Sequence, residues 1–277
     1  MGGISILGIV GLIALFVFQS SGQVAKAKAV ATTTTVAAQP TTTAAAAAGP
    51  PTAPPAPPGA TLTGTTPCPN MDGSSPRTLH FASPPPSCID PSKKWTATFN
   101  TTEGTVAVDL DTSRTAGTVN NFVVLALYHY YDKTSFDRID TSIDIIQGGS
   151  PTTQSIADPG PGYTIHDEGG PFTTDSSGTL KGPFATYAAG DLVMARTSGK
   201  NSASAQYFFA VGPLANGLGT NASGTGTYVT FGHVTQGLDV LKKVEGLYQA
   251  CAAGNQSCLG GAPSRVVLVN SVTITSS

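Results

Sequence analysis

From Trp95 to Ile274 the apolar residues come in short runs that alternate with polar ones, and glycine or proline closes most runs. Thr96 to Phe99 and then Gly104 to Asp111 (GTVAVDLD) carry the period of two that belongs to half-buried strands, with Thr102-Glu103-Gly104 as the turn between them. Further runs of this kind follow as DIIQGG, DLVMAR, QYFFAVG, YVTFGHV and RVVLVNSVTI. Two segments change period. Between Ser113 and Leu127, the residues Val119, Phe122, Val123, Ala126 and Leu127 share one face at helical spacing, with Thr115 or Thr118 as the cap. Gly237 to Gly246 (GLDVLKKVEG) reads as a second, shorter helix. Many short strands, two helices and abundant turn glycine predict a mainly β fold, closed into an antiparallel barrel that leaves no exposed sheet edge.

The first third has a different character. No charged side chain precedes Lys26, and Gly2 to Phe18 (GGISILGIVGLIALFVF) has Ser5 as its only polar side chain. A membrane-spanning helix needs roughly 17 to 25 such residues. Residues 1–25 are therefore read as a membrane anchor, with a cleaved signal as the alternative, since Ala25-Lys26-Ala27 and Ala27-Lys28-Ala29 resemble small-residue cleavage sites. Residues 26–66 are rich in Ala, Thr and Pro, and from Ala29 to Thr66 they carry neither charge nor aromatic ring. Such a chain buries too little apolar surface to offset its entropy, so a disordered linker is expected, reaching on the order of 100 Å if extended. Residues 67–94, with Pro67, Pro69, Pro76 and Pro84-Pro85-Pro86, read as a loop-rich lead-in, and residues 95–277 as the folded domain.

Four cysteines, Cys68, Cys88, Cys251 and Cys258, form no CxxC pair, and the four histidines stand alone, so no metal site is expected. An even number of scattered cysteines behind an apolar N-terminus points to disulfides in an oxidising compartment; four free thiols are the alternative. Of the three pairings, Cys68–Cys88 with Cys251–Cys258 is preferred because each closes a short local loop. The location expected is extracytoplasmic, anchored to the membrane by residues 1–25, or secreted if that segment is removed. Lys26 and Lys28 alone would draw the following chain inward, but the cysteines and the linker composition outweigh them. With 14 basic against 16 acidic residues the chain has no cationic surface for nucleic acid.

No GxSxG, HExxH or P-loop is present. Asp167-Glu168 reads as a solvated acidic turn, and Gly217, Gly219, Gly224 and Gly226 as a flexible barrel loop. What remains is an ordered set: Phe136-Asp137-Arg138-Ile139, Gln147-Gly148-Gly149, Met194-Ala195-Arg196-Thr197, Gln206-Tyr207-Phe208-Phe209 and Val229-Thr230-Phe231-Gly232. In order and spacing, from about Ala97 to Thr275, this set resembles the cyclophilin family of peptidyl-prolyl isomerases. The stretch from Asp158 to Glu168 and the paired cysteines resemble its extracytoplasmic actinobacterial branch.

The resemblance implies an eight-stranded barrel capped by two helices, with a groove for Xaa-Pro polypeptides. It further implies catalysis by Arg138 with Gln147, and substrate binding by Ile143, Ile145, Ala195, Arg196, Thr197, Gln206, Phe208 and Tyr228, with no cofactor and a monomeric state. The chemistry suits those residue types. Rotation about a prolyl amide meets a barrier of about 18–20 kcal/mol because resonance is lost in the twisted state. There the proline nitrogen gains a lone pair, to which a fixed guanidinium donates more strongly than to the planar ground state. A charge-assisted hydrogen bond supplies about 1.5–3 kcal/mol. Acceleration by 10⁵ needs about 7 kcal/mol, so an apolar proline pocket and a positioned carbonyl must supply the rest.

The sequence also departs from the family. Asp137 stands where the family has histidine, Arg196 where it has asparagine, and Tyr228 where histidine precedes V-F-G. One extra residue separates Arg138 from Gln147 and another precedes Gln206, while the groove tryptophan has no counterpart, since Trp95 lies far upstream. These departures bear on rate and substrate preference rather than on fold. The function expected is an active prolyl isomerase; the alternatives are a catalytically weak module that grips proline-containing peptides, or a wall protein whose tether does the work.

Overall fold

The computed structural model describes residues 49–169, 173–174, 180–181, 186–197, 200–218, 228–252, 255 and 258–277. The apolar segment 1–25, the linker up to residue 48, and Gly219, Gly224 and Gly226 lie outside the described residues. Among those described, no helix is long and apolar enough to cross a membrane.

Strand β1 (Ala60–Leu62) pairs in parallel with β2 (Thr78–Phe81). Next come β3 (Trp95–Thr101), β4 (Thr105–Leu110), helix α1 (Thr112–Leu127), β5 (Thr134–Asp140) and β6 (Ile145–Gly148). A separate ladder joins β7 (Thr173–Thr174) to β8 (Leu180–Lys181). The chain continues through β9 (Asp191–Met194), β10 (Tyr207–Ala210), β11 (Thr230–Gln236), helix α2 (Leu238–Glu245), β12 (Tyr248–Ala250), β13 (Gly261–Pro263) and β14 (Leu268–Ser276). The order β5-β14-β3-β4-β11-β9-β10-β6 returns to β5 through a β5–β6 pairing, and every step is antiparallel. These eight strands close a barrel. Both disulfides take the local pairing, Cys68–Cys88 and Cys251–Cys258.

Strand alternation sorts the side chains onto two faces. Phe99, Tyr207, Phe209 and Phe231 join Phe122 and Tyr131 of the α1 region in an interlocked aromatic core, with Phe122 stacked on Tyr131 at 5.0 Å and Phe99 edge-on to Phe209 at 5.2 Å. The intervening residues Ile145, Val193, Phe208 and Ala210 form a second, smaller apolar cluster with Tyr187 and Ala215. The second face carries the groove.

Several sequence expectations need correcting. Neither Thr115 nor Thr118 caps α1. Asp111 does, its carboxylate accepting the Ser113 and Arg114 N–H groups at 3.2 and 3.3 Å. Thr115 leaves helical geometry (φ −134°, ψ 44°), and the Glu168 carboxylate accepts the Thr118 N–H beyond that kink. Asp167-Glu168 is therefore not a solvated turn: the Asp167 side chain is only 4% exposed and lies 3.8 Å from Arg196. The linker also ends earlier than expected, because residues 49–66 lie against the domain. Ala60 N–H donates to Arg77 O at 2.9 Å, Arg77 Nε to Pro57 O at 3.0 Å, and Gln154 Nε2 to Pro54 O at 3.2 Å. On the linker side only backbone groups take part in these bonds, so an Ala/Thr/Pro composition gives no sign of them.

Candidate active site

All ten residues that the sequence singles out for the groove line one cleft of about 560 Å³ on the second face. Arg138 of β5 and Gln147 of β6 are direct antiparallel partners. The Arg138 guanidinium is held from three sides: Nε donates to Leu259 O at 3.1 Å, Nη1 to Gln147 Oε1 at 3.0 Å and Nη2 to Asp140 Oδ2 at 2.7 Å. A guanidinium has five N–H groups, so two have no partner among the described residues. From Gln147 the row continues, Nε2 donating to Gln206 Oε1 at 2.8 Å and Gln206 Nε2 to Ile156 O at 3.3 Å. Burial pushes the Asp140 carboxyl up, but the Ser142 hydroxyl and the Arg138 guanidinium outweigh it and hold the group below the usual carboxylate range. The ion pair is thus built to keep its charge.

Beside this row lies the apolar pocket. Phe208 is 3% exposed, with Ile145 in the same cluster and Ile143, Ala195 and Tyr228 packed against it. Tyr228 meets Phe208 edge-on at 5.6 Å, and Tyr187 donates its hydroxyl to Tyr228 O at 3.0 Å. The Ala195 N–H is taken by Gln206 O at 2.9 Å, which fixes the rim. Arg196 acts as a strut of this wall. Its side chain is 1% exposed, its guanidinium lies 5.2 Å over the Tyr228 ring, and Nη1 donates to Thr197 O at 3.1 Å.

A β-bulge sits one residue before Arg138. Phe136 pairs with Gly148 and Arg138 with Gln147, so Asp137 is the extra residue. Both Asp137 carboxylate oxygens are buried without a hydrogen-bond partner among the described residues, as are Ser150 Oγ and the Tyr207 hydroxyl. Burial pushes the Asp137 carboxyl up to about 7, aided by Asp158 and opposed by Arg138 and by the nearby Ser150 hydroxyl, which falls short of hydrogen-bond geometry.

Residues 96–269 match the family model described as cyclophilin type peptidyl-prolyl cis-trans isomerase/CLD. The chain belongs to this family. Peptidyl-prolyl cis-trans isomerase B of Escherichia coli (strain K12) is 30% identical over 179 residues, covering 64% of this chain and 98% of that protein. Peptidyl-prolyl cis-trans isomerase cyp18 of Streptomyces antibioticus is 29% identical over 181 residues, covering 65% of this chain and 98% of that protein. A crystal structure of a Cryptosporidium parvum cyclophilin type isomerase overlaps 66% of this chain and 99% of its own, at 22% identity and a TM-score of 0.47.

As a cyclophilin-type isomerase the chain absorbs its departures locally. The extra residue between Arg138 and Gln147 falls in the β5–β6 turn, where Asp144 adopts φ 48° and its carboxylate accepts the Leu214 N–H at 2.8 Å. Trp95 is not among the residues that line the cleft; it is buried on β3 with Nε1 donating to Asp90 O at 2.8 Å. Motif reasoning missed Asp140, Leu259 and the Ile156 carbonyl. Asp140 was within reach, two residues from Arg138 on one strand face. Nothing local signals the other two.

Proposed function

We propose that this cyclophilin-type isomerase turns Xaa-Pro bonds through Arg138, with Gln147 positioning the substrate carbonyl and Phe208 flooring the proline pocket. The observation that carries the reading is the guanidinium held on three sides beside an apolar pocket, with two N–H groups unpartnered among the described residues. A donor fixed in advance needs no reorganisation when the proline nitrogen develops its lone pair. Ile143, Ile145, Ala195, Gln206 and Tyr228 shape the pocket, and Arg196 and Thr197 brace its wall. An isomerase assay on the chain beside its Arg138→Ala variant tests this. A fall in kcat/KM of roughly tenfold to a hundredfold is expected from the loss of one charge-assisted hydrogen bond. An unchanged rate would sink the assignment, and a folded wild type inactive on every Xaa-Pro peptide would leave a peptide-binding module.

The setting we propose is extracytoplasmic, with residues 1–25 as a membrane anchor and the domain monomeric. Two disulfides support an oxidising compartment, where proline isomerisation takes tens of seconds uncatalysed. Protease added to intact cells should digest the domain; complete protection would refute the placement.

A further inference from the structure

The hairpin of β12 and β13 lies outside both the closed barrel and the family motifs, yet it reaches Arg138. Strand β13 continues the edge of β5 through Gly261 opposite Ile139, and β12 covers β13. Cys251 directly follows β12, and its bridge to Cys258 closes the connection just before Leu259. The Leu259 carbonyl accepts Arg138 Nε at 3.1 Å, and Leu259 is one of the residues that line the cleft while 56% exposed. Gly260 has φ +80°, and a Cβ there would lie 3.1 Å from Ile139 O and 3.2 Å from the Asp140 carboxyl carbon. The loop is thus pressed onto β5 where a side chain is strained, and the Tyr248 hydroxyl donates to Gly260 O at 3.2 Å. Among the described residues only four large apolar side chains are left exposed, and Tyr248 and Leu259 are two of them. A bridge, a glycine and a tyrosine hydroxyl therefore hold one solvated leucine at the rim of the groove, beside the arginine.

We propose that this disulfide-closed hairpin is the specificity element of the isomerase. Leu259 receives an apolar side chain next to the substrate proline, while its carbonyl positions Arg138. The inference rests on Arg138 as the catalytic group. Leucine burial discriminates by area removed from water, so the preference is modest, and no charge on the hairpin's contact with Arg138 competes for it.

The experiment compares kcat and KM for paired peptides that carry leucine or glutamate beside the proline. Leu259→Ala is expected to cut the preference for the leucine peptide threefold to tenfold, about the effect of removing part of a leucine's burial. The change should fall mainly in KM, and Leu259→Met should restore it. Cys251→Ser with Cys258→Ser is expected to lose the same preference and also to lower kcat for both peptides, as Arg138 loses an anchor. A leucine-to-glutamate ratio unchanged in Leu259→Ala overturns the proposal, and kcat unchanged in a folded double variant overturns the anchoring role. Activity that survives Arg138→Ala would instead refute the reading of the arginine, whatever the ratio does.

Discussion

Asp137 shows what a single buried carboxylate does when no hydrogen-bond partner among the described residues meets it. Its folded pKa of about 7 lies above the ordinary 3.8, so between those values the folded chain keeps a proton that the unfolded chain has lost. Stability contributed here therefore falls as pH rises from about 4 to about 7, and above that the buried charge weighs in full. At about 1.4 kcal/mol per pH unit, the interval from 3.8 to about 7 is worth up to roughly 4 kcal/mol. Asp137→Asn keeps the shape and removes the charge. It is expected to raise Tm at pH 8 and to change it little at pH 4; a variant less stable at both would refute this account. The identity of Asp137 is visible in the chain as a departure from the family, but its burial is not. Burial follows from the bulge, a property of how β5 registers on β6, and simple alternation would carry Asp137 and Arg138 to opposite faces without saying what waits there. Arg138, Gln147 and Phe208 were readable because a motif fixes both type and spacing.

Alternation served the strands well, because one face meets the aromatic core and the other a smaller cluster. Helix α1 forms where its period predicts, but the period says nothing of what its polar residues meet: Asn120 and Asn121 are both buried. Asn120 takes the Cys88 N–H at 2.7 Å and donates to Pro86 O at 2.8 Å, while Asn121 donates to Ser204 O at 2.7 Å. These partners lie 32 to 83 residues away, beyond any local pattern. Short β12 and β13 escaped for a related reason, since three-residue strands carry too little period to detect. Helix α2 depends on its glycine. Gly237, the N-cap, has φ +88°, and a Cβ there would stand 2.3 Å from Thr105 O. Gly237→Ala must move β4 or the helix start, and a loss of about 1–3 kcal/mol is expected by denaturant unfolding. A change below about 0.5 kcal/mol would show that the turn relaxes freely.

Across the whole molecule, the lead-in is fastened to the barrel from outside. The Cys68–Cys88 bridge spans 20 residues, Tyr128 donates its hydroxyl to Pro67 O at 3.0 Å, and Phe81 packs edge-on to Tyr128 at 5.4 Å. Cys68→Ser with Cys88→Ser should cost about 3 kcal/mol of stability, as expected for a loop of that length. Isomerase activity at temperatures well below the lowered Tm should persist, because neither cysteine touches the cleft; loss of activity in the folded variant would contradict this separation.

The polar row that begins at Arg138 crosses the strands rather than following one. It runs from β5 through Gln147 of β6 to Gln206, just ahead of β10. Two strand spacings of about 4.8 Å make a yardstick of roughly 10 Å, against about 3.3 Å for each residue of an extended client. Such a yardstick measures three residues, the proline and one neighbour on either side. A client laid along it would present little more than its proline and those two neighbours, so a proline still accessible in an unfinished chain meets the first requirement, and the neighbour that reaches Leu259 adds a modest preference among such chains.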